Sequence, residues 1–175
     1  MQPRTAKISL FILLTSGIIW LGGVNIRSLI GYNLLQPWTS DFKPNIHPYV
    51  ERIVFSLIAQ SSMVLSIAYV VAWVAGIVFL KTTSYRLKDH GWLMMSAIVF
   101  YFFTPVEVYT MILDVKMWYL DYIGSEDLVE FRKLFIHRLE ALGGAWWIAL
   151  LCYYTILGLA IFRPFQRKKL PNIMN

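Results

Sequence analysis

Charged residues and cysteine are scarce in this sequence. Only 15% of the 175 residues are charged, against about a quarter in an ordinary soluble domain. The one cysteine, Cys152, excludes an internal disulfide and any chemistry that needs a pair of thiols. Hydrophobic residues make up 58% of the chain and aromatic residues 16%. This composition is too apolar for a soluble domain and indicates a protein of the lipid bilayer.

Motifs of the common enzyme classes are missing as well. The sequence has no GxxxxGK[ST] phosphate loop, no GxGxxG, no HExxH, no CxxC and no GxSxG. Its apolar segments share no spacing of prolines, glycines or acids, so an inverted-repeat transporter within one chain is unsupported. These absences favour a non-enzymatic protein.

Four long apolar blocks account for the composition. Each is close to the roughly 20 helical residues that cross a hydrocarbon core, and none alternates as a barrel strand does. We predict an all-α membrane protein with one domain over residues 1–175. Its four transmembrane helices form an up-down antiparallel bundle, at about 8–32, 51–80, 91–116 and 141–163. An amphipathic outer helix at about 125–140 leads into the fourth.

Basic residues are distributed unevenly between the two predicted sides. One side carries nine of the 16 basic residues and only one of the 10 acidic residues. By the positive-inside rule, both termini and the 81–90 loop are cytoplasmic. The net charge of +6 then indicates anionic lipid headgroups as a partner and requires no nucleic acid. No A-x-A-like cleavage site follows the first segment, so we expect it to be retained. The predicted location is a bacterial-type inner membrane.

The third segment contains an acid and a proline, each of which is costly there. A charge near the bilayer centre costs at least about 2.5–3.5 kcal/mol, which makes Glu107 a candidate site residue. Pro105 lacks a backbone donor and predicts a kink about one turn before Glu107. Asp114 falls on the same helix face. Arg27 of the first helix lies at a similar depth, within predicted reach of Glu107.

Polar residues from all four helices are expected to gather near one depth on the outer side. They are Arg27, Glu51, Arg52, Glu107, Asp114, His137, Arg138 and Glu140. One interpretation, which we favour, is an ion-pair network that fixes helix order and register. The other is a ligand, quinone or proton site that opens outward. Glu107 would be its central acid, with Arg27, Asp114 and Arg52 as further candidates.

A metal or haem site is a further hypothesis. Trp20-Leu21-Gly22-Gly23 resembles the W-x-G-G first helix of copper-resistance-D-like and related small four-helix membrane families. The resemblance covers these four residues, and the histidine often found earlier in that helix is absent, with Thr15 and Ser16 nearby. It implies haem or copper as a cofactor. Separately, such binding would require His47 and His137 to converge on the outer side, whereas a turn or cap role is the default for His47.

Small residues mark the helix faces that are expected to pack closely. They include Gly23 and Gly31, which share a face with Arg27, and the ridge Ala68, Ala72 and Gly76.

These faces, together with the missing motifs, favour an accessory or assembly subunit of a membrane complex. Its partners would be membrane lipids and other membrane subunits or further copies. One alternative is a redox or proton-handling protein that binds haem, copper or quinone. Another is a small oligomeric transporter that uses Glu107.

Overall fold

A computed structural model describes residues 2–165. Regular structure in that range is helical throughout. The elements are α1 (Arg4–Tyr32), α2 (Pro48–Thr82), α3 (Gly91–Phe102), α4 (Thr104–Tyr122), α5 (Leu128–Leu139) and α6 (Ala145–Phe162), with a 3-10 turn at Ala141–Gly144. The predicted all-α class is confirmed. The basic tail residues Arg167, Lys168 and Lys169 lie outside the described residues.

Four helical stretches are long and apolar enough to cross a membrane, as predicted. They are Arg4–Tyr32, Pro48–Thr82, Gly91–Tyr122 and Leu128–Phe162. The first two begin three to four residues earlier than predicted. At the second, the ring nitrogen Nδ1 of His47 accepts a hydrogen bond from the backbone N–H of Tyr49 at 3.2 Å, which caps the new helix start.

The third predicted helix, at 91–116, is in fact two helices. The chain leaves helical geometry at Phe103, with φ −85° and ψ 1°, and α4 then continues to Tyr122. Pro105 lies in the first turn of α4, where its missing N–H is not needed. The carbonyl of Phe103 accepts from the backbone N–H groups of Val106 and Glu107 at 3.0 and 3.2 Å. The kink predicted one turn before Glu107 is therefore confirmed, and it places Glu107 at the start of a new helix.

The amphipathic segment forms α5, which is separated from α6 by a turn. Asp127 caps α5, because its Oδ1 accepts from the backbone N–H groups of Val129 and Glu130. The fourth helix was predicted to begin at 141 but begins at Ala145. The reason is the pair Gly143 and Gly144, which adopt φ values of 64° and 82° that glycine tolerates without a steric penalty.

The predicted small-residue faces are confirmed. A Cβ added to Gly23 would collide with Leu65 of α2, and one added to Gly31 would collide with Phe135 of α5. Ala68, Ala72 and Gly76 of α2 are all buried. Glycine and alanine at these positions let neighbouring helices approach closely.

Three buried apolar clusters follow one another along the molecule. The largest lies beside α5 and contains the fully buried Phe55, Phe131 and Met117. A second, in the middle, is built around Trp20, Tyr69 and Tyr153. The third lies near the start of α1 and contains Ala6, Phe79 and Leu93. The candidate site lies where the first two clusters meet.

Candidate functional site

A carboxylate held between two arginines forms the centre of the site. Asp114 on α4 accepts from Arg27 Nη1 of α1 at 2.8 Å and from Arg138 Nε of α5 at 2.5 Å. Arg27 Nη1 also donates to Ser62 Oγ of α2 at 2.7 Å. All four side chains are buried, with 2% of Asp114 exposed. Charges this deeply buried require partners, and their pairing joins four helices at one point.

Arg27 therefore has a different partner from the one that its depth suggested. It forms an ion pair with Asp114, two turns further along α4 than Glu107. The depth estimate assumed a straight third helix, whereas the chain breaks at Phe103. Ser62 was not among the predicted site residues, although it lies on the buried face of α2 and is itself completely buried.

A second ion pair holds Arg52, another predicted candidate. Arg52 Nη1 donates to Asp121 Oδ1 at 2.8 Å, and its Nε donates to the Ser125 carbonyl at 2.9 Å. Ser56 Oγ donates to the other oxygen of Asp121 at 3.1 Å. The guanidinium also lies 4.6 Å from the ring centre of Phe131, a cation–π distance. This pair fastens α2 to the end of α4.

A third pair links α2 to α5. Arg132 Nε and Nη2 each donate to the carboxylate of Glu51 at 2.6 Å, the bidentate geometry that gives arginine its strongest carboxylate contacts. Glu51 is completely buried while Arg132 is partly exposed. Glu51 was predicted to belong to the polar cluster, but Arg132 was not. Arg132 lies on the amphipathic helix α5 next to Lys133, which forms only an exposed pair with Glu130, and the sequence does not distinguish the two basic residues.

The three acids of α4 form one stripe. Glu107, Asp114 and Asp121 are spaced seven residues apart, which keeps them on one helix face. This spacing was the signal that could have added Asp121 to the predicted site. Asp114 and Asp121 each bind arginine. Among residues 2–165, the Glu107 carboxyl forms no ion pair.

Glu107 faces a small internal cavity of about 20 Å³. The remaining polar lining comes from Thr110, Arg138 and Tyr153, and the apolar lining comes from Trp20, Val24, Trp146 and Leu150. A cavity of this size holds about one water molecule. Its walls therefore combine a carboxyl, a guanidinium and two hydroxyls with a largely aromatic enclosure.

Tyr153 supplies the one polar group of α6 at this cavity. Its hydroxyl is buried and has no hydrogen-bond partner of standard geometry among the described residues. It lies near the Glu107 carboxyl and the Tyr69 hydroxyl. Tyr69 in turn donates to Thr104 Oγ1 at 3.3 Å, and Trp73 Nε1 donates to the same oxygen at 3.2 Å. Polar groups thus continue from the Asp114 centre past Glu107 to the start of α4.

The histidines lie apart from this centre. His47 caps α2, as its default role suggested, and Nε2 of His137 is 3.0 Å from the Tyr109 hydroxyl. Within the described range, no group of three or more His, Cys, Asp or Glu side chains is placed to hold a metal ion. Metal binding by His47 and His137 remains a prediction. Both His137 and Glu140 are exposed, so neither belongs to the buried network.

Two residues of the W-x-G-G stretch, Trp20 and Gly23, contact other helices. Trp20 lines the Glu107 cavity and contacts Tyr153, with ring centroids 4.8 Å apart. Gly23 packs against Leu65.

Comparison of the chain with protein-family models, with curated proteins and with solved structures found no match.

Proposed function

We propose that this chain is a non-enzymatic integral membrane protein that serves as an accessory or assembly subunit of a membrane complex. Its termini would lie on the cytoplasmic side of a bacterial-type inner membrane, with its helices in an up-down antiparallel bundle. The supporting observation is that the buried charges are used to hold helices together. The pairs are Arg27 and Arg138 with Asp114, Arg52 with Asp121, and Arg132 with Glu51. A bundle stabilised in this way is a defined scaffold with apolar outer faces.

The seam between α1 and α6 is the surface best suited to a partner helix. Asn25 Nδ2 donates to the Tyr154 hydroxyl at 2.7 Å on this partly exposed surface. Gly22, one turn before Asn25 on α1, has nothing within 4 Å of an added Cβ and so leaves open space beside the pair. Small residues next to hydrogen-bonding side chains are the usual means by which membrane helices associate. The expected occupant is therefore a transmembrane helix of another subunit.

Purification from the native membrane in a mild detergent tests this proposal. We expect another membrane protein to co-elute at fixed stoichiometry. Gly22→Phe should abolish this co-elution because it fills the open space of the seam. The matched control is Val64→Phe, which adds the same ring at an exposed position of α2 and should retain the partner. A chain that elutes alone, or a partner lost equally in both variants, would contradict the proposal.

Proton handling at Glu107 is a second candidate function. It is favoured by the contrast on α4, where Glu107 faces the cavity while Asp114 and Asp121 are bound to arginines. In proteoliposomes this candidate predicts proton-dependent flux or proton uptake that Glu107→Gln removes. Glu130→Gln, the same substitution at a surface acid of α5, should leave it unchanged. If the folded Glu107→Gln protein matches the wild type, this candidate is wrong.

The redox alternative has its own measurement. Haem binding through His47 and His137 predicts a Soret band in the purified protein, and copper binding predicts stoichiometric metal. Either result would replace the accessory role with a cofactor function. Loss of the signal in His137→Ala, but not in His90→Ala, would assign the ligand.

A further inference from the structure

The Tyr153 hydroxyl is buried beside the Glu107 carboxyl and the Tyr69 hydroxyl, but neither contact has standard hydrogen-bond geometry. The residue is 4% exposed, and its hydroxyl has no hydrogen-bond partner of standard geometry in the described part of the chain. A buried hydroxyl left without a partner is destabilising, and native proteins normally supply one. Tyr153 lines the same cavity as Glu107.

We propose that this cavity binds one ordered water molecule, held by the Tyr153 hydroxyl, the Glu107 carboxyl and the Arg138 guanidinium. The volume of about 20 Å³ exceeds the roughly 10–15 Å³ that a water molecule requires. The three side chains give the two to four polar partners that a buried water normally has. Wholly apolar cavities of comparable kind stay dry, but this one is lined by four polar side chains.

Each of the three groups has bonding capacity left for the water. Arg138 uses Nε for Asp114, which leaves its Nη groups available as donors. The Glu107 carboxyl forms no ion pair among the described residues, so its oxygens can accept a hydrogen bond from water. The water can in turn donate to Glu107 and accept from Tyr153 or Arg138.

This water connects α6 to the charged centre of the molecule. Asp114, Arg27, Arg138 and Ser62 join α1, α2, α4 and α5 directly. At this centre α6 contributes Tyr153 as its polar residue. A bridging water extends the same network to the last helix. The water site is thus a specific binding site whose three polar partners come from α4, α5 and α6.

Radiolytic hydroxyl labelling of the intact protein, read out by mass spectrometry, tests the proposal. Radicals formed from a bound water label the side chains that touch it, even where bulk solvent cannot reach. We expect Tyr153 and Trp146, which line the cavity, to be labelled several-fold more than Met117. Met117 is the internal control, because its thioether is readily oxidised and it is completely buried in an apolar cluster. Labelling of Tyr153 at or below the Met117 level in the wild type would overturn the proposal.

A cavity-filling variant gives a second readout. Val24→Leu adds a methylene group to the wall of the cavity and should reduce labelling of Tyr153 to the Met117 level. Ile26→Leu is the matched control, since it keeps side-chain volume on the exposed side of α1 and should leave labelling unchanged. If folded Val24→Leu protein labels Tyr153 as strongly as the wild type, the labelling water is not in this cavity and the proposal fails. Should Val24→Leu not fold, the wild-type comparison decides alone.

Discussion

Replacing Asp114 by asparagine should be the most damaging single change to the buried network. The substitution keeps the shape of the side chain but removes the charge that Arg27 and Arg138 share. Both arginines would then be buried without a counterion. Removing one partner of a buried ion pair costs about 3–5 kcal/mol. We expect the lower end of that range, because the reference state of a membrane helix also finds some polar partners.

Substitution of either arginine should be less harmful. Arg27→Gln leaves Asp114 bound to Arg138, and Arg138→Gln leaves it bound to Arg27. Each change removes a charged hydrogen bond to Asp114, worth about 1.5–3 kcal/mol. Neither change leaves a buried charge without a counterion. Asp114→Asn should therefore lower the free energy of unfolding more than either arginine variant does. This order follows from the shared acceptor and from no other feature of the site.

Equilibrium unfolding in mixed micelles of mild and denaturing detergent measures these free energies. Tryptophan fluorescence is a suitable probe, since the chain contains seven tryptophans. Glu130→Gln is the control: its pair with Lys133 is exposed and 3.6 Å long, so the expected loss is about 0.2–0.5 kcal/mol. An Asp114→Asn loss within about 1 kcal/mol of the control would contradict this prediction. So would an Arg27→Gln loss larger than that of Asp114→Asn.

Two further predictions concern coupling and packing. A double-mutant cycle between Arg27→Gln and Asp114→Asn should give a coupling energy of about 0.5–3 kcal/mol. The coupling between Arg27→Gln and Glu107→Gln should be smaller, because these two side chains form no ion pair with each other. Strong coupling of Arg27 with Glu107, and none with Asp114, would contradict the observed pairing. Gly31→Ala should lose about 1–3 kcal/mol, because its Cβ would lie 2.8 Å from Phe135. Gly22→Ala is the control, because an added Cβ there meets nothing within 4 Å, and it should be neutral or slightly stabilising. Equal losses of unfolding free energy at both glycines would show that the close approach at Gly31 is not the cause.

The course of the third segment was predictable in part. Pro105 identified a kink one turn before Glu107, because a proline inside a helix removes a hydrogen bond wherever it occurs. The length of α4 was not predictable in the same way. Beyond residue 116 the helix continues because Met117 and Asp121 find partners on α2 and α5. Local sequence does not contain those partners.

The residues of the candidate site were also predictable only in part. Arg27, Asp114, Arg52 and Glu107 were identified because charge in an apolar segment is costly wherever the segment packs. Their partners were not: Arg27 was placed within reach of Glu107, but it forms its ion pair with Asp114. Pairing depends on positional differences of a few ångströms, and helix tilt and a single break at Phe103 produce differences of that size. Ser62, Arg132 and Tyr153 became visible only once the helices were packed.

An all-helical chain with four stretches long and apolar enough for a membrane could be predicted from the amino-acid sequence alone, as could the charges in those stretches that need compensation. These properties depend on hydropathy and backbone hydrogen bonding, which are local or nearly so. The packing of the helices sets which arginine binds which acid, and it leaves Glu107 facing a water-sized cavity beside Tyr153. Those outcomes depend on distances between helices that are far apart in the chain, and hydrogen bonds and ion pairs form only when these distances are met.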